Sequence, residues 1–387
     1  MPLQHPIAIT GLASLSPLGS QRKKVLESYE NQQTCIIERT LSNESFQVAP
    51  LRESQKEQLR EFRDAHPKYK ALDEVVLMAQ WVSRAAIQEA GWHKGDNFGI
   101  NFGSSRGATQ LFEQHHREYL KSGKAPTLTS PTTTLGNISS WVAHDLQSQG
   151  PEISHSITCS TALHAVLNGV AWLQSGLVDQ FLAGGSEAAL TPFTLAQMQS
   201  LKIYSHESGD YPCRPLDTTK TTNTMVLGEG AAAIAMEKGV HTNSLGYISG
   251  VGYATEPLQH GISISTDAAC FQKSMSRALG SLNPEAVDVI VLHAPGTLKG
   301  DQAELAAIQS VFGSHAPLLT SNKWKIGHTF GASGLLSLEM ALLMLQQQQF
   351  FEIPYIDNQS APEKPIEKIM INAVGFGGNA VSILLSK

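Results

Sequence analysis

The chain has 387 residues, 41% hydrophobic and 16% charged, which excludes a disordered polypeptide and leaves room for one large or two medium cores. A net charge of −6 with no long basic block argues against a nucleic-acid partner. No stretch approaches the roughly 18 consecutive apolar residues of a membrane span, and MPLQHPIAITGL has no basic segment leading into an apolar run, so a cytoplasmic protein is expected.

In chain order, PIAITGLA reads as a strand ending at Gly11. A helix is predicted over residues 72–91, because Leu72, Val75, Val76, Ala79, Val82, Ala86 and Ala90 recur at three-and-four spacing. Residues 97–102 (NFGINF) form a strand candidate, and residues 156–158 close another, followed by the helix TALHAVLNGVAWLQSG. VDQFLAGGSEAA and EGAAAIAMEK read as strands of small residues. The later part alternates in the same way, with strand 247–253, helix 267–279, strand VDVIVLHAP, a helix from Gln302, a helix over 334–349 and the closing strand AVSILLS. Strands alternating with helices imply an α/β fold with buried sheets.

Cys35, Cys159, Cys213 and Cys270 are far apart, with no C-x-x-C and no Cys/His zinc spacing, so no metal is expected. Three of them fit small buried hydrophobes. Cys159 in ITCSTALHA differs, because it falls between a β-type run and a long apolar helix, where a helix N-terminus favours a thiolate nucleophile. A buried cysteine at a strand end fits the same residues. His293 ends VDVIVLHAPGT and His328 lies in NKWKIGHTFGASG, both in glycine-flanked turns where open α/β sheets place ligands. Lys323, five positions before His328, can set the local field or be a solvated surface lysine. The loop around Phe376 in INAVGFGGNAV can aim backbone N–H groups at an oxyanion or form a tight hairpin. A rival site is Gly103-Ser104-Ser105-Arg106-Gly107, whose G-x-S-x-G pattern after a strand would make Ser105 the nucleophile of a hydrolase.

The order and spacing of these motifs resemble the elongating β-ketoacyl-acyl carrier protein synthases nearly end to end. The resemblance is carried by ITGLASLSPLG, LDEVVLMA, CSTALHA, LAGGSEAALTP, CRPLDTTKTTNTMVLGEGAA, HAPGTLKGDQAE, NKWKIGHTFGASG and GFGGNA. It implies a thiolase-like, five-layered αβαβα fold of two similar halves, 1–240 and 241–387. It implies that Cys159 carries the acyl chain and that His293 and His328 stabilise the enolate formed as malonyl carbon dioxide leaves. Backbone N–H groups of Cys159 and Phe376 would form the oxyanion hole. The partners implied are an acyl carrier protein, which brings the phosphopantetheine so that no other cofactor is needed, and a second copy or a second ketosynthase-like subunit. Lys68 and Lys70, with Arg63 beside them, would meet the carrier protein.

Several positions depart from the family pattern. Ser337 stands nine residues after His328 where a glutamate is usual, with Glu339 the nearest carboxylate. Pro295 replaces a threonine, while Thr297 keeps the second pantetheine contact. Arg106 stands at an apolar position of the acyl pocket, and the closing glycines lack the threonine before Asn379. These departures fit specialised polyene or polyketide synthesis better than housekeeping fatty-acid synthesis. They also fit a chain-length-factor-like partner subunit with weakened activity, although the intact Cys159, His293, His328 and Lys323 favour an active synthase.

Overall fold

The structure is a computed structural model and describes residues 2–41, 44–257, 264–315, 317–356 and 364–387. Its strands in chain order are β1 (Pro2–Leu15), β2 (Ile37–Leu41), β3 (Glu44–Ala49), β4 (Gly99–Gly103), β5 (Glu152–His155), β6 (Gln180–Glu187), β7 (Leu227–Gly228), β8 (Gly230–Lys238), β9 (Gly246–Thr255), β10 (Val289–Val291), β11 (Leu318–Thr320), β12 (Lys368–Gly375) and β13 (Asn379–Ser386). A small sheet has the order β2-β3-β7, and the main sheet runs β11-β10-β12-β13-β9-β1-β8-β6-β4-β5.

The main sheet is two copies of one pattern. Numbered within its own half, each reads third, second, fourth, fifth, first: β5-β4-β6-β8-β1 and β11-β10-β12-β13-β9. The senses of pairing repeat as well. β4 is parallel to β5 and β6, and β10 is parallel to β11 and β12. The remaining neighbours are antiparallel in both halves, and antiparallel β1 and β9 join them.

Alternation along the strands sorts side chains between layers. On β8, Ala232, Ile234 and Met236 join the central core, while Ala231, Ala233 and Ala235 face the other way. On β12, Ile369 and Ile371 enter the same central core and Met370 faces out. The central core is filled by helices Thr161–Ser175 and Ser333–Gln347, each lying between the third and fourth strands of its half. Outer cores hold helices Glu74–Ala90 and Asn137–Leu146 on one half and Ala269–Leu279 and Leu298–Phe312 on the other. The layers are therefore helix, sheet, helix, sheet, helix, as the resemblance implied.

Several boundaries differ from the sequence expectation. β1 continues past Gly11 through a bulge between Ile9 and Gly11, because Gly11 to Leu15 pair with Ala235 to Ala231. Residues 156–158 lie beyond β5, which ends at His155, and form only an isolated bridge between Ile157 and Cys159. β10 ends at Val291; the Leu292 amide still bonds the Thr320 carbonyl at 2.9 Å, and the following amides, of His293 and Ala294, turn aside to the Glu304 carboxylate at 3.0 and 2.8 Å. The helix expected from Gln302 begins at Leu298, where Thr297 caps it by accepting from the Gly300 amide at 3.2 Å. The helix expected over 72–91 runs Glu74–Ala90 after the N-cap Asp73 and ends at Gly91, with φ of 76°.

Close packing of the outer helices uses glycine at equivalent places. A Cβ at Gly11 of β1 would lie 2.2 Å from the Ala86 carbonyl oxygen of the helix above it. One at Gly252 of β9 would lie 1.8 Å from the Ser274 carbonyl oxygen of the matching helix. Neither contact can relax without moving a whole helix, so Gly252→Ala should lower unfolding free energy by about 1–3 kcal/mol in a denaturant titration. Unchanged stability would mean that the helix is loosely seated.

Candidate active site

The segments that follow the parallel strands of the two halves meet, since Gly375 packs on Thr158 and the Gly331 amide donates to Glu187 at 3.0 Å, and the chemically capable side chains lie in those segments. Ser105 comes two residues after β4 and His293 two after β10, so the pseudo-symmetry places them at matching points. Glu187 ends β6, and Gly375 ends β12.

Cys159 follows Thr158, whose φ of 47° turns the chain sharply before the helix that begins at Thr161. The turn is held by its own side chains: the Ile157 amide donates to Thr161 Oγ1 at 2.9 Å, and Thr161 Oγ1 donates to the Thr158 carbonyl at 2.6 Å. The loop after β12 lies directly on it, because a Cβ at Gly375 would come 2.0 Å from Thr158 Oγ1 and 2.6 Å from the Ile157 oxygen. Cys159 lies at the helix N-terminus, immediately before the N-cap Ser160 and the first turn from Thr161, but burial opposes the thiolate expected there. It pushes the thiol up to about 12, with nearby Glu187 adding to the rise and Lys323 and Arg106 opposing it. Burial therefore favours the neutral thiol over the thiolate.

Glu187 is fully buried and ties three segments together. It accepts from Ser104 Oγ at 3.0 Å, the Ser105 amide at 2.8 Å, the Arg106 amide at 3.2 Å and the Gly331 amide at 3.0 Å. Burial raises its carboxyl to about 7. Glu304 does the same in the other half, bonding the His293 and Ala294 amides and Asn372 Nδ2, and burial raises it to about 7 as well. Sequence reasoning missed both as organising groups. A carboxylate inside runs as apolar as LAGGSEAAL was the signal available.

His293 and His328 come together with ring centroids 5.2 Å apart and planes at 88°. Burial is the larger cause that holds both imidazoles well below their ordinary 6.5, and the Lys323 charge adds to it, so both are neutral. His328 Nδ1 meets Ser333 Oγ at 3.2 Å, which leaves Nε2 for another partner. Lys323 is no surface lysine. It is 1% exposed in the one-turn helix Lys323–Ile326, with its pKa lowered by burial to about 8.

A cavity of about 370 Å³ opens beside the thiol, lined by Cys159, Thr158, Phe376, Phe330, Arg106 and Phe112 among others. Phe330 links it to the histidines, with its ring 5.4 Å from that of His328. Cys159 and Phe376 thus share one cavity, His293 and His328 share one contact, and Phe330 and Lys323 join the two groups. Phe376 begins the turn between β12 and β13, where the Gly378 amide bonds the Gly375 carbonyl at 3.1 Å, so the loop is a tight hairpin and a cavity wall at once.

Arg106 lines the cavity and, among the described residues, forms no ion pair with a carboxylate. Its Nη1 donates to Gln197 Oε1 at 2.6 Å, and its guanidinium carbon lies 5.2 Å from the Phe330 ring centre. Ser105 also lines the cavity, but among the described residues no histidine hydrogen-bonds to it, which leaves the hydrolase arrangement without a base. Ser337 Oγ approaches Asn322 Oδ1 at 3.4 Å, while Glu339 points elsewhere, accepting from Ser14 Oγ at 2.6 Å. Thr297 is engaged in capping, and Lys68 and Lys70 are exposed in and just after the turn Pro67–Tyr69, with Arg63 half-buried nearby. Cys213 and Cys270 are buried, Cys35 is half-buried, and all four cysteines are free. Among the described residues no cluster of histidine, cysteine or carboxylate side chains could hold a metal, and no helix is long and apolar enough to cross a membrane.

With the geometry in hand, comparison with known proteins identifies its type. Residues 4–241 match the β-ketoacyl synthase N-terminal domain and residues 237–355 the β-ketoacyl synthase C-terminal domain. The chain belongs to the β-ketoacyl synthase family of thiolase-like condensing enzymes. It is 26% identical over 419 aligned positions to 3-oxoacyl-[acyl-carrier-protein] synthase 2 of Coxiella burnetii, covering 98% of each chain. It is 28% identical to nodulation protein E of Rhizobium leguminosarum bv. trifolii, over 80% of this chain and 82% of that one. Among solved structures, the ishigamide ketosynthase/chain length factor superposes with a TM-score of 0.87 at 18% identity, over 99% of both chains. The ketosynthase ApeO in complex with its chain length factor ApeC from Xenorhabdus doucetiae gives 0.81 at 20% identity, over 99% and 98%. These likenesses fix the fold, and family membership places the chain among enzymes that condense acyl chains.

The Lys323 charge makes a sign-definite prediction. Lys323→Met removes a cation that disfavours imidazolium, so the pKa values of His293 and His328 should rise toward the ordinary value. Neutral imidazole would then be lost at a higher pH than in the parent protein as the solution is acidified. Histidine ring titration by NMR reads this directly, and identical titration in both proteins would refute the coupling.

Proposed function

We propose that this protein is an elongating synthase that joins a malonyl unit on an acyl carrier protein to an acyl chain held on Cys159. The observation that carries the reading is the neutral, perpendicular pair of His293 and His328 beside a buried Lys323 and next to the cavity that holds the thiol. Neutral imidazoles can donate N–H bonds to an enolate without being consumed as acids.

In the first half-reaction the Cys159 sulfur attacks the carrier's thioester, and its proton leaves with the departing pantetheine sulfur. In the second, the bond from the malonyl α-carbon to its carboxylate breaks, carbon dioxide departs, and the electron pair becomes an enolate held by His293 and His328. The enolate carbon attacks the Cys159 thioester. The tetrahedral oxyanion faces the backbone N–H groups of Cys159 and Phe376, then collapses to the 3-oxoacyl product and expels the Cys159 thiolate, which takes up a proton. The thiol's high pKa makes it a reluctant leaving group as an anion, which the nearby Lys323 and Arg106 charges ease.

A partner subunit fits the same reading. Helix Thr109–Ser122 buries none of its residues, and Phe112, which lines the cavity, is 60% exposed, as is Phe193. A second copy, or a second ketosynthase-like chain as in the ketosynthase/chain length factor pairs, would cover that face and close the cavity. The carrier protein would meet the exposed Lys68 and Lys70.

Three outcomes test the assignment. A thiol-reactive acyl mimic should label Cys159 alone in peptide mapping, whereas label on Ser105 would restore the hydrolase. His293→Ala and His328→Ala should each slow malonyl decarboxylation by roughly 100-fold or more while leaving acyl transfer to Cys159 partly intact. The opposite split would reverse the roles. Changing Lys68 and Lys70 to glutamate should raise the Michaelis constant for the carrier protein severalfold at low salt and less at high salt, and an unchanged constant would move the docking site elsewhere.

A further inference from the structure

We infer that the acyl chain this protein accepts ends in a hydroxyl group, held between Arg106 and Glu113. The inference deepens the proposed synthase activity and rests on it.

Arg106 has five N–H donors in a fixed planar fork. One is spent on Gln197, a neutral acceptor, and the flat face is spent on Phe330. Among the described residues no carboxylate comes within 4.0 Å of the guanidinium, so the protein orients this cation without neutralising it. Its backbone is not free to swing, because the Arg106 amide is fixed to buried Glu187 and the Gly107 amide to Ser104 Oγ at 2.9 Å. A half-buried cation pinned at a cavity wall, with donors left over, matches a ligand that brings an acceptor.

Glu113 narrows the class of ligand. It lines the same cavity from helix Thr109–Ser122, and its Oε1 accepts from Thr191 Oγ1 at 2.6 Å, which leaves further acceptor capacity. A carboxylate-ended chain would meet Arg106 favourably and Glu113 unfavourably. A carbonyl would use only the arginine. Of these three ends only a hydroxyl both accepts and donates, so it satisfies the two walls together. The rest of the lining is aromatic, with Phe112, Phe193, Phe330 and Phe376, which suits an apolar chain body. At about 370 Å³ the cavity is near the lower end of the roughly 300–1,000 Å³ typical of small-molecule sites, so the polar end falls within reach of a short chain.

The experiment loads one acyl carrier protein with three chains of equal length ending in hydroxyl, methyl or carboxylate. Transfer to Cys159 is followed by intact mass. The parent protein should take the hydroxyl-ended chain at least about tenfold faster than the methyl-ended one, as expected for a hydrogen bond to a charged group, and faster than the carboxylate-ended one. Arg106→Leu should erase the hydroxyl preference, Arg106→Lys should keep part of it, and Glu113→Gln should narrow the gap between hydroxyl and carboxylate. Equal rates for hydroxyl and methyl in the parent protein overturn the inference whether or not the variants fold. So does an Arg106→Leu protein that keeps the preference but dissociates from its partner subunit, or one whose only defect is a raised Michaelis constant for the malonyl carrier. If none of the three chains reaches Cys159, while all the proteins remain folded, the synthase reading fails and the inference falls with it.

Discussion

Two helices, Thr161–Ser175 and Ser333–Gln347, are enclosed between the two halves of the sheet, and every residue from Ser333 to Leu345 is buried. Strands that flank them must be apolar on the inner face and, because helices also cover the outside, apolar on the outer face too. Polar groups within these layers must then bond one another, as Asn372 and Ser382 do at 2.8 Å, and open space for chemistry is left where strands end. The segments that follow the parallel strands of the two halves meet, as Gly375 on Thr158, Gly331 on Glu187 and His293 against His328 show, so the chemically capable side chains gather there.

Burial at that convergence decides the ionisation of the site. It raises Cys159, Glu187 and Glu304 and lowers His293, His328 and Lys323, so the usual charges of these groups are all disfavoured. The two carboxylates serve mainly as acceptors for backbone amides and lock the turns around Ser105 and His293. Lys323 lies within electrostatic reach of the thiol, both imidazoles and Glu304, and so couples Cys159 and the histidines across the two halves.

The cavity wall differs in character from the interior behind it. Phe112 and Phe193 are aromatic but exposed, and Arg106 holds an amide and a ring where an ion pair would be ordinary. Cys159, His293 and His328 are buried, whereas the cavity is open toward an uncovered helix face. Whatever covers Thr109–Ser122 also borders the cavity beside Cys159, because Thr109, Phe112 and Glu113 of that helix line it.

Much of this was legible in the chain itself. Three-and-four spacing marked the helix that follows Asp73, small apolar runs marked β6 and β8, and the settings of Cys159, His293 and His328 marked them as chemical. The family motifs added the roles and the layered fold. The sequence did not reveal β12, because IMINAV is buried on both faces and shows no alternation, nor helix Thr109–Ser122, because its partner surface is absent from the chain's own core. It also suggested a thiolate at Cys159, since local dipole reasoning contains no information about how deeply a side chain will be buried. Depth, charge coupling and the pairing of Arg106 with Gln197 and Phe330 link residues up to hundreds of positions apart, and only tertiary packing sets them: local pattern fixes which face of an element is apolar, but not what that face will meet.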